Sequence, residues 1–434
     1  MSSTLASGVS DAPYDAIVVG ASFAGLSFAS AAAARGMRVL VVERDAAIGR
    51  VVRTTGVLFS EVLDVVDVPR RYLLNSVRRV ELRPPTQPPI TIAAGAYRFF
   101  MADVPGMLRW MSDEARARGA TIRCGTPFLD ASREGESGLM RVLLGGPSDN
   151  EDGGASRAPA EIAHARILIG ADGARSHVAE CLDLDRNQRF LAGAEWLVEH
   201  VAVDRETFHL VMDHDLAPGY CAWLAPHGEI AAFGVAGHAR AFKPAESLRR
   251  AQAAFAGVAD LSGMRVVQRK AGVIPTGGRL RHVHRDDGRG RALLLGDAAG
   301  HCGAATGGGI YPALLAGKLA AHAVANEVLN GQAGAVSGYL RALPHANRLG
   351  PYLQIEDWLR WALDRMGSNA DVAALYALLG SPEGKRVLQR TLLETPIINM
   401  DGGFFGLLRG VLGRHPSLYG SAVRAALRRV TTRA

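Results

Sequence analysis

Cysteine is scarce and scattered: Cys124, Cys181, Cys221 and Cys302 are the only four, and no two stand at the spacing of a metal-binding pair. That argues against a zinc or iron–sulfur centre and against a disulfide framework, so no metal is expected and a reducing cytoplasm fits best. Long apolar runs are also missing. Nothing approaches the roughly 18 unbroken apolar residues of a membrane span, and the opening MSSTLASGVS lacks the basic-then-apolar plan of a secretory signal. No internal repeat is apparent. Neither sign of charge dominates: 49 basic residues against 42 acidic ones leave a net +7, an excess that is mostly arginine. A solvated surface accounts for it most simply, with phosphate-bearing substrates or an anionic membrane surface as the other readings, and no nucleic-acid partner is expected. A composition 48% hydrophobic and 21% charged excludes wholesale disorder. The 434 residues exceed the size at which one core stops growing, about 250–300 residues, so two domains are expected.

Against this background three glycine-and-acid turns stand out, each behind a short apolar run. The first follows YDAIVV, a buried-strand sequence, and reads Gly20-Ala-Ser22-Phe23-Ala24-Gly25 before an Ala-rich helix that ends at Gly36. A second strand, MRVLVV, then closes on Glu43-Arg44. Strand, glycines, helix, strand and acid in that order form a dinucleotide-binding β-α-β unit. Ser22 occupies the place of the second glycine, adding only a Cβ and a hydroxyl near the pyrophosphate. Glu43 stands where an acid holds an adenosine ribose with a free 2′-hydroxyl, as in FAD or NAD. The second turn, Asp172-Gly173, ends RILIGA. The third begins Gly296-Asp297 after RALLL and runs to Gly307-Gly308-Gly309-Ile310 at the mouth of an Ala/Leu-rich helix. Bare N–H groups at such a helix start suit an anion or an electron-rich ring edge, although a glycine-rich crossover alone can look the same.

Between these turns the pattern changes. Residues 186–280 alternate with a period of two, and the stretch from about 50 to 100 is less regular, with alternating stretches that read as antiparallel strands and a short helix; this predicts a mostly antiparallel sheet inserted into the nucleotide domain. The expected organisation is a disordered leader over 1–13 and a discontinuous, Rossmann-like α/β domain from 14–55, 101–185 and 285–330. The inserted β domain takes 56–100 and 186–284, and a helical C-terminal region takes 331–434. Residues 148–158, polar and glycine-rich, read as an exposed hairpin tip.

Together the three turns resemble the FAD-dependent superfamily of aromatic hydroxylases and geranylgeranyl reductases. Gly296-Asp-Ala-Ala-Gly300, Thr306-Gly-Gly-Gly-Ile-Tyr311, Ala313 and Gly317-Lys-Leu-Ala-Ala321 look most like the geranylgeranyl reductase family, and Pro218-Gly-Tyr-Cys-Ala-Trp223 is similar to its aromatic strand. Ala304 and Ala225 depart from that pattern, standing where the family has Pro and Phe. The resemblance implies FAD bound through Gly20, Ser22, Phe23, Ala24, Gly25, Glu43, Arg44, Asp172, Gly173, Gly296, Asp297 and Gly307 to Ile310. It implies a reductase that passes hydride from reduced flavin to a carbon–carbon double bond of an isoprenoid or other lipophilic substrate. NAD(P)H or a small redox protein would act as transient electron donor. The alternative is an FAD monooxygenase, a hydroxylase or epoxidase using NAD(P)H and O2 on an aromatic or polyketide-like molecule. Trp196, Phe208, Trp223 and Phe233 are candidates to line an apolar substrate tunnel, although core packing explains such residues equally well. Tyr220, His301, Cys302 and Tyr311 are the candidate proton donors. The basic tail, with Phe404, Leu407, Leu408, Val411 and Leu412 beside Arg409 and Arg414, either packs on the body or makes peripheral contact with the inner face of a membrane.

Overall fold

Tyr14–Val19 (β1) and Val39–Val42 (β2) are buried along almost their whole length, which in a strand means cover on both faces. The computed structural model, which describes residues 12–93, 97–135, 137–146, 159–240 and 242–389, places them at the centre of an eight-stranded sheet. Its other strands are Thr121–Arg123 (β3), Phe128–Arg133 (β4), Met140–Gly145 (β5), Pro159–Gly170 (β6), His284–Asp287 (β7) and Gly290–Leu294 (β8). The order along the sheet is β7-β8-β6-β1-β2-β3, and β5 and β4 extend the long β6 as an antiparallel flap. The neighbours β8/β6, β6/β1, β1/β2 and β2/β3 all run parallel, with Leu168 beside Ala292, Ile17 beside Leu168 and Leu40, and Leu40 beside Thr121. Parallel strands need helical crossovers. Phe23–Ala33 (α1) supplies one, and Val104–Ala117 (α2) leads into β3. The start of α2 is fixed by Asp103, whose carboxylate accepts from Gly106 N at 3.0 Å, with Pro105 in the first turn.

The long helix Ile310–Asn330 (α3) lies against α1. Ser27 Oγ donates to Leu314 O at 2.7 Å, and a Cβ on Gly317 would fall 2.5 Å from Ala24 O, so only glycine permits the approach. Residues up to 74, 101–192 and 270–360 make up this first compact unit. It therefore runs past α3 through most of Leu349–Leu363 (α4).

The second unit takes residues 75–100, 193–269 and those from 361 onward. Its centre is a seven-stranded sheet in the order 265–275, 190–199, 230–238, 222–227, 207–211, 79–83, 90–93. Neighbouring pairs are antiparallel where Trp223 faces Gly234 and Leu210 faces Trp223, and parallel where Phe208 faces Val80. The strand register separates the aromatic residues. Trp223 donates from Nε1 to the buried Glu195 at 2.9 Å, across Gly234, where a Cβ would sit 2.2 Å from the indole. Phe233, one residue along, points to the opposite face and meets Trp196 and Phe255 edge-on at 6.2 and 5.9 Å. Together these give the mixed α/β architecture with a largely antiparallel second sheet that the sequence predicts. No helix among the described residues is long and apolar enough to cross a membrane. All but the last two residues of the leader expected over 1–13, the hairpin tip over 148–158 and the basic tail with Phe404 to Arg414 fall outside the described residues.

Candidate FAD site

Four parallel strands finish along one edge of the first sheet, at Val19, Val42, Gly170 and Leu294. In open parallel sheets that carboxyl edge is where ligands bind. Three of them run directly into the sequence-predicted turns and the fourth, β2, into Glu43, and the backbone ties these segments together. Gly20 N donates to Val42 O at 2.8 Å, Ala171 N to Val19 O at 2.9 Å, and Leu295 N to Gly170 O at 2.8 Å. Gly20 has φ +101° and approaches so closely that a Cβ there would lie 2.4 Å from Ala171 O. A Cβ on Gly296, at φ +61°, would lie 2.9 Å from Ala24 Cβ. Stretches separated by more than a hundred residues thus form one surface. Asn187, buried and in no motif, fastens two of them by donating from Nδ2 to Ala174 O at 3.1 Å and to Asp297 O at 2.8 Å.

In the first turn, Ser22 is exposed, extended in backbone, and makes no side-chain capping bond to α1. The first N–H groups of α1, at Phe23, Ala24 and Gly25, therefore stay open for an anion such as a pyrophosphate. Glu43 lies against this turn: Oε2 accepts from Ala21 N at 2.9 Å and Oε1 from Asp45 N at 3.0 Å. Each oxygen keeps a further acceptor position for a ribose hydroxyl. Arg44 beside it is exposed. In the second turn the carboxylate of Asp172 is committed locally, accepting from Ser176 Oγ at 2.7 Å, His177 N at 2.7 Å and Val178 N at 3.1 Å. It thereby caps the short helix His177–Cys181. Gly173, at φ +85°, borders open space.

The third turn holds the most perturbed acid. Burial pushes the Asp297 carboxyl up to about 6, and it accepts no hydrogen bond from a described residue. The half-buried carboxyl among glycines keeps acceptor positions for a ligand hydroxyl, and the ribityl chain of a flavin offers one. A Cβ on Gly309 would lie 3.0 Å from Asp297 Oδ1, so the glycine loop leans on this acid. Within the loop, Gly307 N donates to Gly303 O at 2.8 Å and Gly308 N to Thr306 Oγ1 at 3.3 Å. The open donors therefore begin at Gly309 and Ile310, where α3 starts without a side-chain cap. Glycine cradle, uncapped α1, ribose-reaching Glu43 and unpartnered Asp297 all fit FAD.

Three of the proposed proton donors neighbour this turn. His301 is buried, and burial with the positive charge of Arg279 lowers it to about 4, so the ring is neutral at pH 7. Its Nδ1 has no hydrogen-bond partner among the described residues. Burial pushes the Cys302 thiol well up, helped by the charges of Asp297 and Glu356, and it stays protonated. Burial also pushes Tyr311 up to about 12, and its hydroxyl donates to Asn347 O at 3.3 Å. Tyr220, half-buried, belongs to the second unit with Trp196, Phe208, Trp223 and Phe233. Phe208 shares a face with Leu210 and hence with Trp223, whereas Trp196 and Phe233 share the other. Among the described residues no His/Cys/Asp/Glu group could hold a metal ion.

A parallel sheet whose carboxyl edge gathers a dinucleotide turn and a late Gly-Asp turn defines a dinucleotide-binding flavoprotein. A family model described as FAD binding domain (FAD_binding_3) matches residues 13–336, and the chain belongs to that family, with FAD as its cofactor. The digeranylgeranylglycerophospholipid reductase of Methanothrix thermoacetophila is 27% identical over 333 residues, covering 74% of this chain and 80% of the relative. The geranylgeranyl diphosphate reductase of Rhodobacter capsulatus is 26% identical over 313 residues, covering 71% and 74%. Among solved structures, a geranylgeranyl bacteriochlorophyll reductase-like protein from Thermoplasma acidophilum superposes with a TM-score of 0.75 at 19% identity, over 94% of this chain and 97% of that one. Aklavinone-11 hydroxylase in complex with FAD and aklavinone gives 0.61 at 19% identity, over 84% and 71%. The chain is accordingly an FAD-dependent oxidoreductase similar to the geranylgeranyl reductases.

Proposed function

We propose that the protein reduces a carbon–carbon double bond of an isoprenoid or other lipophilic substrate. The observation that carries this reading is the match, over about three quarters of the chain, to relatives named as reductases of geranylgeranyl compounds, at 27% and 26% identity. When bound and reduced, FAD supplies the hydride. The chain's own residues do the rest. Glu43 and the open start of α1 hold the adenosine half, while Asp297 accepts from the ribityl chain. The N–H groups of Gly309 and Ile310 would meet the electron-rich end of the ring system, where they would favour negative charge. Reduction of an alkene also consumes a proton. Cys302 and Tyr311 keep theirs at neutral pH, because burial disfavours their anions, whereas His301 is already a neutral imidazole with no imidazolium proton to give. Tyr220 is the fourth candidate. On the substrate side Trp196, Phe208, Trp223 and Phe233 are the proposed apolar lining, in two pairs on opposite faces of the second sheet. NAD(P)H or a small redox protein is the proposed electron source.

The test is anaerobic. Protein with photoreduced FAD is mixed with a panel of polyprenyl lipids, quinones and aromatic polyketides, and the flavin absorbance and product mass are followed. The reductase reading expects reoxidation without oxygen and a product heavier by two hydrogens. A flavin that is reoxidised only by O2, with a product heavier by one oxygen, would make the protein a monooxygenase instead.

A further inference from the structure

Behind the glycine loop lies a carboxylate that no motif announces. Glu356, on α4 and only 4% exposed, accepts at Oε2 from Ala305 N at 2.9 Å, Thr306 N at 2.7 Å and Thr306 Oγ1 at 3.0 Å. One turn earlier, Tyr352 donates from its hydroxyl to Gly308 O at 3.1 Å and meets Phe59 edge-on at 6.2 Å. Two glycines make room for this pair. A Cβ on Gly303 would lie 2.6 Å from the Tyr352 hydroxyl and 2.7 Å from Glu356 Oε2, and one on Gly308 would lie 2.5 Å from the same hydroxyl. Gly303 N also donates to Gly308 O at 3.1 Å, so the loop closes on itself above the acid.

Three donors converging on one oxygen describe an ionised carboxylate. Burial pushes Glu356 up and the bonds from Thr306 and Ala305 pull it back, while the charge of its chain neighbour Asp357, of the same sign, adds a smaller upward push. A loop brace does not need a charge. A buried amide would satisfy the same donors at a smaller desolvation cost.

We propose that Glu356 is a positioning residue for the flavin, holding the start of α3 through Thr306 and setting a fixed negative charge behind the loop. This rests on the assignment of Gly309 and Ile310 to the flavin. A negative charge there opposes the electrons that reduced flavin gains, and so keeps its midpoint potential low. A low potential suits hydride donation to an unactivated alkene. The open donors of α3 work in the opposite sense, and Glu356 sets how far they succeed.

Two variants separate the charge from the brace. Glu356→Gln keeps an acceptor and removes the charge; Thr306→Val keeps the charge and removes the hydroxyl. FAD affinity is read by fluorescence titration at pH 8, and the midpoint potential by spectroelectrochemistry of the loaded protein. Thr306→Val is expected to bind FAD more weakly, by about tenfold for the loss of one to two hydrogen bonds, whereas Glu356→Gln, which keeps the acceptor, is expected to bind it within a few-fold of wild type. Only Glu356→Gln is expected to move the potential, and in the positive direction. Should that variant fail to fold, Thr306→Val and Tyr352→Phe carry the test through affinity, and wild-type affinity in both overturns the proposal. A wild-type potential in FAD-loaded Glu356→Gln overturns it as well, while leaving the FAD site intact. Failure of the wild-type protein to bind FAD would instead remove the assignment beneath it.

Discussion

Gly20→Ala is expected to abolish retention of FAD and to lower stability sharply. The position has φ +101°, and the added methyl would lie 2.4 Å from Ala171 O and 2.9 Å from Ala171 C, both backbone atoms. Neither neighbour can turn aside, because Ala171 N is bonded to Val19 O and Gly20 N to Val42 O. Left-handed backbone costs an L-residue roughly 1–2 kcal/mol, and forcing a methyl into filled space adds about 1–3 kcal/mol. The sum is a large part of a typical stability of about 5–15 kcal/mol. Gly36→Ala provides the control. Gly36 has φ +84° but nothing within 4 Å of its would-be Cβ, so it incurs only the backbone term. Urea melts and the flavin absorbance of purified protein distinguish the two: the Gly36 variant stays yellow and near wild type, and the Gly20 variant does neither. A Gly20 variant as yellow and as stable as the Gly36 one would mean that the turns do not touch as described.

Asp297→Asn is expected to change stability and cofactor binding in opposite directions. The folded carboxyl titrates at about 6, against an unfolded value of 3.8. Between those values the folded chain holds a proton that the unfolded chain has lost, so apo stability falls as pH rises from about 4 to about 6 and stays lower above. The difference corresponds to about 3 kcal/mol at about 1.4 kcal/mol per pH unit. Asparagine cannot ionise. The apo variant should match wild type at pH 4 and exceed it at pH 8, by up to about 3 kcal/mol in urea melts. FAD affinity at pH 8 should fall about 10- to 150-fold, the worth of one hydrogen bond to a charged acceptor at about 1.5–3 kcal/mol. An apo variant less stable than wild type at pH 8 would show that Asp297 has a partner within the protein. Such a trade, stability given up for a binding group, is common at functional sites.

Which features could be read from the sequence follows from where their signals lie. The turns at Gly20, Asp172 and Gly296 are local statements. Each joins the apolar end of a strand to a glycine whose backbone is left-handed, and Asp172 and Asp297 sit inside their own turns. Glu43 was legible because its distance from Gly20 is set by one helix and one strand. Asn187 and Glu356 carry no such signal. Asn187 reaches 110 residues along the chain to Asp297, and Glu356 reaches 50 residues back to Thr306, each from a stretch with no motif of its own. Asp172 shows the reverse case, a residue type visible in the sequence whose carboxylate is then taken up by its own helix cap. Trp223 and Phe233 look like partners by composition, yet the hairpin register that sets Trp223 against Gly234 sends them to opposite faces. Face assignment depends on that register to the single residue, and composition does not encode it.

The most direct measurement is the structure of the FAD complex. The expected result is one flavin in contact with the start of α1, with Glu43 and with Asp297, and with the Gly309–Ile310 turn at its ring system. A flavin bound elsewhere, or one that leaves Asp297 without a hydrogen-bond donor, would contradict the claim that these distant turns make a single site.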